Sequence, residues 1–355
     1  MDFTTIQPGD MMRKKPNWPG GVLWNFSQSI FRNCFQIHVD ARARAPKTPR
    51  SNPQWTFSKQ LLTQRGTAIS YPQTTKTTKE FNLAIVQMYV EPGNKAKNLA
   101  HAEQLIHEAS VNKADVVLLP EVLDLGWTHP SAKQYGDPIP NGDACRQLCK
   151  SAKENHVYVC CGLVERDGNA IYNAAVIIDN QGKVLIKHRK LNELSIAHDI
   201  YDQGDRLGVC HTPWGTFGLM ICADAFAKDH VLTRSLCYMG ADVILSPASW
   251  AVPPDHNNET DPYGEAWRGF YMPVAREFSV WIASSSNVGP ITEGPWKKWK
   301  CIGCSLLVGP DGKERFMGPY GEKAEKILYH TIKPTSRPAR GTNWSKFKPD
   351  NTDIA

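Results

Sequence analysis

Beyond residue 80 the chain alternates short apolar runs with longer amphipathic stretches, and each texture predicts a different element. Residues 82–90 (NLAIVQMYV) are apolar almost without interruption, the pattern of a strand covered on both faces. Leu99, Ala102, Leu105, Ile106 and Ala109 then recur at helical spacing, so an amphipathic helix follows. Residues 115–120 (DVVLLP) form a second apolar strand, and a polar helix over Asp143–Glu154 leads into a strand over 156–164. Residues 170–179 and 184–190 read as two strands closed by the turn Asn180-Gln181-Gly182, a hairpin.

Residues 216–222 (TFGLMIC) make another strand, broken at Ala223-Asp224-Ala225. A helix over 229–239, a strand over 241–246, a helix over 263–278 and a strand over 280–285 come next. Two last strands, 303–308 and 326–332, flank the turn Pro310-Asp311-Gly312. Strands alternating with helices, with hairpins between them, give a layered α/β domain rather than a purely parallel barrel. No internal repeat points to a solenoid.

The first 80 residues are different. They are rich in Pro, Thr, Gln, Ser, Arg and Lys and hold no sustained period of 2 or 3.6. Only residues 21–39 carry enough Trp, Phe and Ile for a short ordered piece, and 46–79 reads as linker. The expected organisation is a basic, low-order extension over 1–80, an α/β domain over 81–335 and a tail over 336–355. Charge sharpens this division. The chain carries +6 overall, but residues 1–80 hold twelve Lys and Arg against four acidic residues, so the remainder is mildly acidic. The basic tract at 41–50 (ARARAPKTPR) has no interleaved aromatic residues and reads as a solvated tail, with a transit peptide as the lesser alternative. Nothing here makes a case for nucleic-acid binding.

Composition excludes little else. An apolar share of 41% with 21% charged residues is ordinary for a globular chain of 355 residues. No stretch reaches the roughly 18 to 20 apolar residues of a membrane span, and no secretory pattern opens the chain, so no membrane partner is expected. Ten cysteines in so long a chain do not form a secreted disulfide scaffold. Cys160 and Cys161 lie inside the apolar run VYVCCGL and read as small buried side chains. Reduced thiols in a cytoplasmic setting are expected.

Functional side chains of open α/β folds gather where strands end. Three ends here carry reactive groups. Leu118-Leu119-Pro120-Glu121 places a carboxylate directly after an apolar strand, where partial burial would fit it to take a thiol proton. Lys190 closes the hairpin strand, and an ammonium in a cleft would lower a nearby thiol pKa and stabilise an oxyanion. Cys222 ends an apolar strand and is followed by small residues that permit a tight elbow into a helix. Taken singly, each has a blander reading: a rim carboxylate, a solvated lysine, a core thiol.

Together the three residues, about 70 and 30 positions apart, resemble the nitrilase superfamily of carbon–nitrogen hydrolases. Pro120-Glu121, Arg189-Lys190-Leu191, Gly204-Asp205 and Ile221-Cys222 carry the likeness, with Leu245-Ser246-Pro247-Ala248-Ser249-Trp250 and Ser286-Asn287-Val288-Gly289 downstream. The resemblance implies a four-layer α-β-β-α sandwich, a homodimer or higher homo-oligomer, and no metal or organic cofactor. It implies Cys222 as nucleophile, Glu121 as base and Lys190 as oxyanion stabiliser, with the backbone N–H of Ala223 assisting. The substrate would be a small amide or N-carbamoyl compound. A nitrile is the lesser alternative, because Ala223-Asp224 stands where true nitrilases usually have Trp-Glu.

One position departs from the pattern. The second glutamate of many members falls on Ala197 in a gapless alignment, next to His198, and Glu193 is the nearest carboxylate to take its role. That departure is the support for a catalytically silent binding protein on the same fold. Trp127 and Trp250 are candidate walls of the substrate pocket. Cys301-Ile302-Gly303-Cys304 lacks the second ligand pair of a zinc site and reads as two buried thiols. His129, His230 and His256 read as surface or core residues.

Overall fold

The computed structural model describes residues 79–335, which lie in one compact unit. The basic extension and the tail expected at the two ends of the chain lie outside the described residues. The first half runs β1 (Phe81–Gln87), α1 (Lys95–Val111), β2 (Val116–Leu118), α2 (Ala132–Tyr135), α3 (Asp143–Glu154), β3 (Tyr158–Asp167), β4 (Ala170–Ile178) and β5 (Val184–Arg189). The second half begins with β6 (Val209–Thr212), β7 (Gly215–Leu219), α4 (Val231–Met239), β8 (Val243–Ala248) and β9 (Ala251–Val252). It ends with α5 (Gly264–Phe278), β10 (Trp281–Ser286), β11 (Val288–Pro290), β12 (Lys300–Ile302), β13 (Leu306–Val308), β14 (Glu314–Met317) and β15 (Lys326–Ile332).

Two six-stranded sheets form, in the orders β15-β1-β2-β3-β4-β5 and β14-β13-β10-β8-β7-β6, with a small ribbon β11-β12-β9 beside them. Each large sheet has parallel pairs at its centre, β1–β2–β3 and β7–β8–β10, flanked by antiparallel strands. The alternation of β1 shows how the layers arise. Leu83 and Ile85 join Phe217, Leu219 and Ile244 of the second sheet in one core. Ala84 and Val86 face the other way, onto Leu99, Ala102 and Ile106 of α1 and Leu148 of α3. On the far side, Leu236 of α4 and Trp267 and Val274 of α5 cover the second sheet. The order is therefore α-β-β-α, as the resemblance implied. Burying each large aliphatic side chain of this core is worth roughly 1.5–3 kcal/mol. The adjacent thiols Cys160 and Cys161 split between the two cores, each with no exposed surface.

Several boundaries differ from the sequence pattern. Strand β3 extends to Asp167 because it pairs with β4 in a hairpin, Asp167 opposite Ala170, with Gly168 in the left-handed region at φ 60°. The strand read over 303–308 begins only at Leu306. Gly303 (φ 70°) and Cys304 (φ 61°) break it, and Cys301 belongs instead to β12 in the ribbon. A Cβ at Gly303 would fall 2.2 Å from Gln87 Cδ, so the chain must turn there without a side chain. Cys301 and Cys304 are both buried. Among the described residues no helix is long and apolar enough to cross a membrane.

Candidate active site

The three strand ends meet between the sheets. After β2, Glu121 reaches across to the second sheet, its N–H donating to Ala248 O at 3.2 Å. Gly162 of β3 lies directly against it, and a Cβ there would sit 2.6 Å from Glu121 Cα. Gly162→Ala is therefore expected to displace the carboxylate and lower turnover about 100-fold, read by steady-state kinetics on protein with an unchanged circular dichroism spectrum.

Lys190 follows β5, its N–H donating to Asn173 O at 2.9 Å while its carbonyl accepts from Gly204 N at 2.9 Å. A Cβ at Gly204 would come within 2.1 Å of Arg189 O, which explains the glycine of the Gly204-Asp205 pair. Cys222 follows β7 in the left-handed region at φ 41°, a strained backbone for a side-chain-bearing residue and typical of functional elbows. The elbow continues as a 3-10 turn, Cys222–Phe226, and α4 starts only at Val231. The thiol is thus placed by the elbow itself, and the helix expected over 229–239 begins two residues later than the pattern suggested.

Lys190 Nζ lies 2.7 Å from Glu121 Oε1 and 3.3 Å from Glu193 Oε1. Asn173 Nδ2 donates to Glu121 Oε1 at 2.6 Å and to Glu193 Oε2 at 3.3 Å. One ammonium and one amide therefore hold two buried carboxylates apart. Glu121 Oε2 is buried with no hydrogen bond, so it is the oxygen left to receive a proton. Glu121 and Lys190 are 1% exposed and Cys222 8%, which restricts the reacting group to a small one.

Burial pulls the Lys190 ammonium down, but the charges of Glu121, Glu193 and Cys222 outweigh it and hold its pKa well above the usual lysine range. It stays charged. Burial raises the Glu193 carboxyl, and Glu121 adds to the rise against the pull of Lys190. The Cys222 thiol is pushed up, first by burial and then by Glu121, while Lys190 and the Ser249 N–H draw it down. Cys222 therefore rests as a protonated thiol beside the Glu121 carboxyl, not as a free thiolate. Alkylation of the Cys222 peptide by iodoacetamide is accordingly expected to keep rising with pH beyond about 8.5, the ordinary thiol value. A rate already level at neutral pH, followed by peptide mass spectrometry, would show a depressed pKa instead.

The structure places the remaining candidates around this centre. Glu193 occupies the second-carboxylate position beside Lys190, whereas Ala197 is buried in the apolar cluster of Trp127 and Tyr201. Ala223 is buried next to Cys222, its carbonyl accepting from Asn192 Nδ2 at 2.6 Å. The Trp127 ring lies 5.9 Å from Lys190 Nζ, and its Nε1 is buried without a hydrogen bond. Trp250 stacks on Trp267 with centroids 4.2 Å apart, so its ring is core, although its Nε1 also lacks a partner. His129, with Trp127, Asn287 and Cys301, lines a small cavity. His230 bonds the Ala225 carbonyl at 3.0 Å, and His256 packs on Tyr263 and Tyr320.

Asn173 is the main site residue the sequence reading missed. Its signal was an amide inside an otherwise apolar strand. Among the described residues, no group of three His, Cys, Asp or Glu is placed to hold a metal ion.

The fold is the α-β-β-α sandwich of a hydrolase, and its strand ends bury a thiol, an ammonium and paired carboxylates in one place. The chain belongs to the carbon–nitrogen hydrolase family, whose model matches residues 82–340. It is 35% identical over 251 residues to a protein named nitrilase from Pyrococcus abyssi, covering 69% of this chain and 87% of the relative. It is 32% identical over 244 residues to the omega-amidase NIT2 of Bos taurus, covering 66% of this chain and 82% of the relative. The solved structure of Saccharomyces cerevisiae Nit3, a nitrilase-superfamily member, matches with a TM-score of 0.62 at 22% identity, over 73% of this chain and 93% of its own. That likeness shows the same fold.

Proposed function

We propose that the chain hydrolyses the carbon–nitrogen bond of a small amide or N-carbamoyl compound through a thioester on Cys222. The observation that carries the proposal is the buried cluster of Glu121, Lys190 and Glu193 bridged by Asn173 beside the thiol. Glu121 Oε2 takes the proton of Cys222 as Sγ bonds to the carbonyl carbon. The negative charge passes to the carbonyl oxygen, where Lys190 Nζ and the Ala223 N–H stabilise it. The tetrahedral intermediate collapses, the carbon–nitrogen bond breaks, and Glu121 returns its proton to the departing ammonia or amine. Water then gives a proton to Glu121 and attacks the thioester, and the thiolate leaves and is reprotonated. Every bond and proton is accounted for by these side chains and water.

Glu193 completes the proposal. Because Lys190 and Asn173 hold it in the centre, it supplies the second carboxylate that Ala197 lacks, and the support for a silent binding protein on this fold falls away. An amide is favoured over a nitrile by the Ala223-Asp224 sequence after the nucleophile and by the omega-amidase among the relatives. Homo-oligomeric assembly and a cytoplasmic location belong to the same proposal. The exposed apolar residues Val231, Tyr238 and Met239 on α4 support the first, and the free thiols of the nine described cysteines support the second.

Ammonia release from a panel of amides, N-carbamoyl compounds and nitriles tests the substrate class. Turnover of amides or N-carbamoyl compounds well above that of matched nitriles is expected. Release from nitriles alone would refute the reading.

A further inference from the structure

Asp224 stands two residues beyond the nucleophile, and its side chain has no exposed surface. A carboxylate buried there without a role would be costly, and its four hydrogen bonds show where it acts. Oδ2 accepts from Ile221 N at 2.9 Å, which closes the elbow itself. The other three bonds all leave the elbow for one place. Oδ1 accepts from Leu191 N at 3.1 Å and Asn192 N at 2.7 Å, the two residues that directly follow Lys190. Oδ2 meets His188 Nε2, on the strand that delivers Lys190, at 2.8 Å. Asn192 Nδ2 adds a fifth tie, donating to Ala223 O at 2.6 Å.

His188 is equally constrained. Its Nδ1 faces the Arg206 carbonyl at 3.1 Å, and a carbonyl only accepts, so Nδ1 carries a hydrogen. Its Nε2 faces a carboxylate oxygen already accepting from a backbone N–H, so Nε2 carries one as well. Both ring nitrogens are donors, and the ring is as buried as its partner.

We propose that Asp224 and His188 form a positioning pair, a buried carboxylate and the buried ring that hydrogen-bonds it, that clamps the Cys222 elbow to the Lys190 strand end. The clamp rests on the reading of Cys222 and Lys190 as reacting groups, and it adds what sets their separation. Neither residue touches substrate. Burial raises the Asp224 carboxyl, but the His188 and backbone donors outweigh it and leave it below the usual aspartate range, as a carboxylate should be in such a pair.

The test uses the full chain labelled with 15N-histidine, with ring N–H hydrogens read by NMR. One ring Nε2–H protected from solvent exchange by its bond to a buried carboxylate is expected, absent from His188→Gln and perturbed in Asp224→Asn. The second variant makes the assignment if the first does not fold. A parent protein without such a protected ring hydrogen overturns the proposal, as does one whose signal survives both substitutions unchanged. In Asp224→Asn, alkylation of Cys222 by iodoacetamide and kcat should each fall about 100-fold while KM stays within about threefold. A kcat within threefold of the parent overturns the clamp. Ring signature and alkylation are read without an amide substrate under turnover, so failure of the clamp is distinguishable from failure of Cys222 as nucleophile.

Discussion

Cys222→Ala is expected to abolish amide turnover, lowering kcat by about 10⁴-fold or more, with little change in substrate affinity. The substitution removes the sulfur on which the proposed thioester forms, while Glu121, Lys190, Glu193 and Asn173 keep their hydrogen bonds to one another. What remains is direct attack of water on a positioned carbonyl. The fold should tolerate the change, because a methyl group replaces a thiol at a buried, already strained position and leaves the elbow bonds of Asp224 intact. Ammonia release, isotope-labelled substrate binding and a thermal melt on the same preparation separate these effects. Turnover within tenfold of the parent would remove Cys222 from the mechanism.

Lys190→Met should damage both chemistry and stability. Loss of one oxyanion donor typically costs about 10²–10³ in kcat. The larger consequence is structural. Glu121 and Glu193 would face each other in a buried space with only Asn173 between them, and stripping one partner from a buried ionic cluster costs about 3–5 kcal/mol. The sign of the pH dependence follows. Without the ammonium, a carboxyl of this pair keeps its proton more tightly folded than unfolded. Such a group adds stability below the unfolded carboxyl value of about 4.3 and loses it as pH rises through the higher folded value. The deficit of Lys190→Met relative to the parent should therefore be largest at neutral pH and shrink on acidification towards about pH 5. Denaturant melts across that range measure it, and a deficit independent of pH would mean that the carboxylates are not coupled through Lys190.

Two of the strand ends were legible because Glu121 and Cys222 each follow an apolar, buried run, and such a run stops where the sheet stops. Lys190 was not legible that way, because its strand Val184–Arg189 is only partly buried and ends in polar residues, and the spacing of the three residues together singled it out. The partners that tune these residues were not legible. Asn173 acts through Nδ2 on carboxylates far away in sequence, and an isolated amide in a strand says nothing of where it points. In sequence Glu193 is only the carboxylate nearest to Ala197, and nothing in the pattern shows that it reaches Lys190 Nζ at 3.3 Å.

Fold details were lost for a similar reason. Strands β6, β9, β11, β12 and β14 are four residues or fewer, too short for periodicity to register. The β3–β4 hairpin did carry a signal, Asp167-Gly168, but the polar tip Glu165-Arg166-Asp167 made the strand look finished at 164. The delayed start of α4 goes with Asp229 and His230 adopting positive φ just before it, which no local pattern announced.

The central claim is that a carboxylate, an ammonium and one particular sulfur, brought together between two sheets, act as a single reacting unit. Rapid acid quench of the protein during turnover of an amide, followed by peptide mass spectrometry, reads this directly. The predicted result is an acyl group on the peptide holding Cys222 and none on that peptide from Cys222→Ala. Turnover with the acyl group on Cys301 or another residue, and never on Cys222, would contradict it.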